Sequence, residues 1–97
     1  MRTYEMMFVL KPDLSEEQIL ESKERLRKII EDFKGEFINE KEGWGKKRLA
    51  YPIEDFTEGI YSLWFFRGTP DLLNELDRII KISENFLRHI IIRQEEK

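Results

Sequence analysis

Large apolar side chains fall on every second residue at the start of the chain. Tyr4, Met6, Phe8 and Leu10 share one parity, and Thr3, Glu5, Met7 and Val9 the other. A period of two rich in aromatic and branched residues predicts a strand over Arg2 to Leu10, and Lys11-Pro12-Asp13 ends it. The period then lengthens. Ser15 with Gln18 three residues on forms a capping box, and Ile19, Leu26, Ile30 and Phe33 recur at helical spacing. Gly35 stands where a C-terminal cap belongs, so a helix is expected from about Glu16 to Lys34.

From Glu36 to Ile53 the chain reads as extended, in two parts. The first, Phe37 to Glu42, is highly charged, as suits an edge strand guarded against mispairing. Gly43-Trp44-Gly45 interrupts it, because glycine inside a strand marks a bulge. Pro52 fits an edge or a strand end, and Glu54 to Gly59 a short loop. Gly59 to Arg67 is apolar on both parities, which predicts a central strand buried on both faces. Thr69 and Pro70 then open a second helix as N-cap and first residue. Its stripe is Leu72, Leu73, Leu76, Ile79 and Ile80. Ser83-Glu84-Asn85 turns the chain into a last strand, Phe86 to Arg93, and residues 94–97 form a polar tail.

The order is therefore βαββαβ, the ferredoxin-like α+β pattern. One domain of 97 residues would fold as a four-stranded antiparallel sheet, with two helices on one face and the first and third strands in the middle. Helices can cover only one face. The third strand puts Tyr61, Leu63 and Phe65 on one side and Ser62, Trp64 and Phe66 on the other. The uncovered face should therefore carry large apolar groups, the kind of patch that receives a partner. The alternative is a loop or the polar tail folded across it.

Composition removes several function classes. With no cysteine there is neither a disulfide framework nor a thiolate metal site. The N-terminus reads as a strand and not as a signal peptide, and no apolar run approaches a membrane span. His89 is the single histidine, without the ligand set a metal centre needs. Ser15 has no base beside it and serves as a cap. Neither a nucleotide-binding glycine motif nor a nucleophile elbow is present. Acylphosphatases share the strand order, but their loop after the first strand cradles phosphate, whereas here it is Lys11-Pro12-Asp13-Leu14, with an acid and no glycine. The RNA-recognition motif shares the order too, but the third strand lacks its basic, glycine-containing pattern. No enzyme, cofactor, metal or small-molecule substrate is expected.

Net charge complicates a nucleic-acid reading. At −3 the chain is acidic, while phosphate-binding domains are usually basic. The positive charge is nevertheless clustered, in Lys46-Lys47-Arg48 and in Arg88, His89 and Arg93, and a basic edge on an acidic protein can still meet phosphate.

The run Trp44-Gly45-Lys46-Lys47-Arg48-Leu49-Ala50-Tyr51-Pro52-Ile53 resembles the signature of the bacterial small-subunit ribosomal protein six family. The opening Met1-Arg2-Thr3-Tyr4-Glu5, Pro12, Tyr61, Trp64, Pro70, Asn85 and Arg88 are similar to it as well. The resemblance spans essentially the whole chain. It implies a ferredoxin-like, non-enzymatic, cytoplasmic component of the small ribosomal subunit. Such a protein binds the central domain of 16S ribosomal RNA as a heterodimer with ribosomal protein eighteen. A basic partner would reconcile the acidic charge with RNA and would fill the open apolar face at Tyr61, Leu63 and Phe65. Arg2, Lys46, Lys47 and Arg88 match the family's basic positions and are the expected phosphate contacts. Arg93 joins them by its charge near Arg2. Tyr51 is expected to fill space and Pro52 to end its strand.

Overall fold

The computed structural model describes residues 1–41 and 45–94. Its elements are β1 (Arg2–Leu10), α1 (Glu16–Asp32), β2 (Glu36–Glu40), β3 (Lys46–Ile53), β4 (Phe56–Gly68), α2 (Pro70–Ile82) and β5 (Phe86–Arg93). The sheet runs β2-β4-β1-β5, with β3 also paired to β4, and the described pairings are all antiparallel. β2 and β3 lie end to end along the same edge of β4, at Trp64 to Arg67 and at Phe56 to Ile60. They act as one broken edge strand, so the fold is the expected ferredoxin-like α+β sheet. Gly43, Trp44 and the end of the charged stretch at Glu42 lie outside the described residues, as does the tail from Glu95 to Lys97.

Parity decides the core. Tyr4, Met6 and Phe8 on β1 face Phe66, Trp64 and Ser62 on β4, and these are buried against Leu26 and Ile30 of α1 and Leu72, Leu76 and Ile80 of α2. Phe8 meets Trp64 edge-on at 5.2 Å between centroids, and Phe37 meets the same indole at 4.8 Å. Edge-to-face rings suit the aromatic quadrupole and add to area burial. Phe33, expected in the α1 stripe, is instead exposed, and Ser22 takes a buried place, donating to the Gln18 carbonyl and accepting from Asn85 Nδ2.

The helix ends refine the reading. Ser15 and Gln18 form the reciprocal capping box. Thr69 occupies the N-cap of α2 with Pro70 behind it, yet its side chain makes no capping bond. α1 stops at Asp32, two residues before the expected end, in a Schellman arrangement. Gly35 N donates to Ile30 O, and Lys34 N to Glu31 O. The left-handed residue is Lys34, at φ 59°, and not Gly35. The glycine is needed for room: a Cβ there would stand 2.7 Å from the Arg67 carbonyl oxygen and 2.8 Å from Leu72 Cδ2.

Candidate nucleic-acid and partner interface

The sheet face away from the helices carries Glu5, Met7 and Val9 of β1, Tyr61, Leu63 and Phe65 of β4, and Arg88, Ile90 and Ile92 of β5. Only half of it is open. β3 leaves its ladder with β4 after Arg48↔Glu58 and rejoins at Ile53↔Phe56, so residues 49 to 52 stand opposite the single Thr57. The surplus chain folds over the sheet. Leu49 is buried there, and Val9, on the nominally open face, is 1% exposed. Met7, Val9, Leu49, Ala50, Tyr51, Ile53, Tyr61 and Arg88 close around a cavity of about 60 Å³. Gly59 leaves room for Val9 beneath this segment, because a Cβ there would lie 2.3 Å from Val9 Cγ1. Both expectations for this face hold in part: a segment of the signature run folds across one end, and the other end stays open.

The other half is a shallow apolar hollow of about 230 Å³ between Glu5, Met7, Leu63, Ile90 and Ile92. Ile90 and Ile92 are 36% and 53% exposed. Of the residues expected to bind a partner, Leu63 forms the floor of this hollow. Phe65, opposite Glu5, extends the same strip, and Tyr61 borders the covered half. Isoleucines half in water beside a buried leucine are the composition of an uncompleted core layer.

The five expected phosphate contacts divide into two groups. Lys46 and Lys47 begin β3 at the Ile60 end of the sheet, and Arg88 stands opposite Val9. Lys47, opposite Gly59, shares the open-face parity of Arg88 and lies roughly 15 Å from it, at ~4.8 Å per strand. Arg2 and Arg93 sit at the other end, Arg2 opposite Gly68 and Arg93 opposite Tyr4, on the parity of the helix side. About 20–25 Å separates the two ends, at ~3.3 Å per residue. The structure therefore brings Arg2 near Arg93, and Lys46 and Lys47 toward Arg88, but does not join the groups.

Each cation has its own surroundings. Lys46 Nζ lies 3.6 Å from Glu58 Oε2, with both side chains about half exposed, an ion pair worth little against water. Arg88 Nη1 donates to Tyr51 Oη at 2.8 Å. His89 bonds Asp77 Oδ1 at 2.7 Å, which ties β5 to α2. Lys81, then His89, hold the Asp77 carboxyl below its ordinary value by hydrogen bonds, against slight desolvation. Among the described residues no group of three potential metal ligands occurs, and no helix is long and apolar enough to cross a membrane. The loop after β1 has lost two of the amides that a phosphate cradle would use. The Lys11 N–H is spent on the Asn85 carbonyl, Pro12 has none, and the Lys11 ammonium lies 5.9 Å from the centroid of the Phe56 ring.

Sequence reasoning missed the Tyr51 hydroxyl. Its signal was present in a tyrosine on the inward parity of a basic strand, but its partner is on β5, 37 positions away, and only the fold-over brings them together.

Comparison with known proteins gives this surface its context. The profile of the family described as ribosomal protein S6 matches residues 3–93. Small ribosomal subunit protein bS6 of Syntrophomonas wolfei is 77% identical over 97 residues, the full length of both chains. The protein of the same name from Natranaerobius thermophilus is 46% identical over 96 residues, 99% of each chain. The crystal structure of 30S ribosomal protein S6 from Thermotoga maritima superposes with a TM-score of 0.87 at 33% identity, covering 96% of this chain and 87% of that one. A full-length match in sequence and in fold leaves one conclusion: the chain belongs to the ribosomal protein S6 family, structural and non-enzymatic proteins of the small ribosomal subunit.

Proposed function

We propose that this protein works in the cytoplasm on the small ribosomal subunit, where it binds the central domain of 16S ribosomal RNA together with ribosomal protein eighteen. The observation that carries the reading is the half-open sheet face. An apolar hollow at Leu63, Ile90 and Ile92 lies beside a fold-over whose Tyr51 hydroxyl accepts a hydrogen bond from Arg88 of β5, on a chain of net charge −3. Apolar surface of this kind wants a protein, and the cations beside it want phosphate. One complex satisfies both if the partner sits on the hollow and supplies further positive charge.

In this arrangement Leu63 and Phe65, with Tyr61 at the border, receive the partner. Lys46, Lys47 and Arg88 meet RNA at one end of the sheet, and Arg2 and Arg93 at the other. These contacts fix register and orientation without reading sequence. The test is binding to a transcribed central-domain fragment with and without ribosomal protein eighteen. Tight binding only in the ternary mixture is the expected result. Equal, weak binding in both mixtures refutes the heterodimer, and its absence in both refutes the RNA role.

A further inference from the structure

We infer that Tyr51 is a positioning residue for RNA binding, holding the Arg88 guanidinium ready for a phosphate; this rests on the RNA reading above. Residues 49 to 52 are surplus to the β3–β4 ladder and carry Tyr51 across β4 and β1 to the edge strand β5. The ring lies over the small cavity lined by Met7, Val9 and Tyr61, yet 56% of the residue is exposed. An aromatic used only to fill space would be more deeply buried. Its hydroxyl reaches Arg88 Nη1 at 2.8 Å.

The chemistry of that bond is informative. A phenol accepts from the guanidinium without cancelling its charge, whereas a carboxylate would neutralise it. Arg78 shows the contrast, since it is bound through two nitrogens to Glu75. Among the described residues Arg88 makes no ion pair, so its charge stays available. Its remaining N–H groups form a planar fork suited to phosphate oxygens. A free arginine side chain loses rotamer entropy when it is immobilised. Tyr51 has already restricted it, so less is lost on binding.

The test is a double-mutant cycle on central-domain RNA in the presence of ribosomal protein eighteen, using Tyr51→Phe, Arg88→Ala and the pair, with thermal melting of each free protein. Tyr51→Phe keeps the ring and removes only the acceptor. The expected result is a loss of affinity of roughly 3- to 10-fold, the size of one hydrogen bond, with an unchanged salt slope because Arg88 still meets its phosphate. In the Arg88→Ala background the same substitution should change nothing, and Arg88→Ala alone should lower the salt slope by about one. A merely structural tyrosine would weaken binding equally in both backgrounds, following the loss of melting temperature, and that result overturns the proposal. So does wild-type affinity in Tyr51→Phe when Arg88→Ala is weakened, in which case the RNA reading stands. If the wild-type complex does not bind RNA, both readings fall.

Discussion

Trp64 donates its indole N–H to Glu40 Oε2 at 2.6 Å, and the same oxygen lies 3.0 Å from Lys23 Nζ. One carboxylate thus ties the central strand β4, the edge strand β2 and helix α1. The ring of Trp64 is 1% exposed, packed against Phe8 and Phe37, so its polar atom needs the partner that Glu40 supplies. Phe37 is covered in turn by the Arg27 guanidinium, 4.3 Å from the ring centroid. Glu40→Ala should destabilise the fold by about 1–2 kcal/mol, a drop of several degrees in melting temperature. Glu40→Gln keeps an acceptor and should recover most of the loss. Equal melting of the two variants would mean that the indole bond contributes nothing.

The same carboxylate makes the fold sensitive to acid. Burial pushes the Glu40 carboxyl upward, but hydrogen bonds from Trp64 and Lys23 and the lysine charge outweigh it and leave the group below its ordinary value. Asp77 is lowered too, by Lys81 first and then by His89. A carboxylate depressed in the folded state stabilises it fully above the unfolded pKa of about 4 and ceases to do so as pH falls through the folded value. Stability should therefore hold from neutrality to about pH 5 and decline below it. The Glu40→Gln, Asp77→Asn double variant should show a shallower decline in urea titrations at stepped pH; an unchanged slope refutes the assignment.

The β3–β4 turn is a place where the sequence works against its backbone. Ile53 pairs with Phe56, and the two residues between them, Glu54 and Asp55, have φ of 49° and 69°. Two positive values in a two-residue loop define a type I′ turn, which favours Asn-Gly. Glu54→Asn with Asp55→Gly should stabilise the protein by about 1 kcal/mol, read from chemical denaturation. No gain would show that the acidic pair is held by something other than turn geometry.

How much of this could be seen in the chain alone depends on the range of the interaction. The capping box, the parity of Tyr61 to Phe66 and the broken edge strand rest on neighbours within a few residues, and all were legible. The fold-over of Leu49 and Tyr51 was not. An alternating stretch such as Lys47 to Ile53 pairs or folds back according to whether space exists above the sheet, and that space depends on Gly59 and Val9. Lys34 escaped for a similar reason. Gly35 is required by its closeness to Arg67 and Leu72, so the lysine before it takes the left-handed turn. Positive charge could be counted, but only the strand register showed that Arg2 and Arg93 stand at the opposite end of the sheet from Lys46, Lys47 and Arg88.

Gly59 provides a direct test of the fold-over. A Cβ there would stand 2.3 Å from Val9 Cγ1, so the valine must move, whereas Leu49 Cδ2 at 3.5 Å is in ordinary contact. Val9 is stiff at χ1 and packs beneath the 49–52 segment, so its displacement should disturb that segment. Gly59→Ala should cost about 1–3 kcal/mol and increase hydrogen exchange at residues 49 to 52. It should leave the β1–β4 amides around Met6 and Trp64 protected. Uniform loss of protection would mean that the segment is integral to the core.

The two separated basic groups make a quantitative prediction about RNA. No single phosphate can span about 20–25 Å, so the ends must meet different parts of the backbone. Their effects should then be independent, because distant sites without shared partners add. With the five phosphate contacts, affinity should fall by roughly 100- to 500-fold between 50 and 200 mM salt. Arg2→Ala and Lys47→Ala should each lower that slope by about one, and the pair should lower it by their sum. A non-additive pair would mean that one end repositions the other. A flat salt response would remove phosphate from the interface and leave the apolar hollow at Leu63, Ile90 and Ile92 as the sole determinant of assembly.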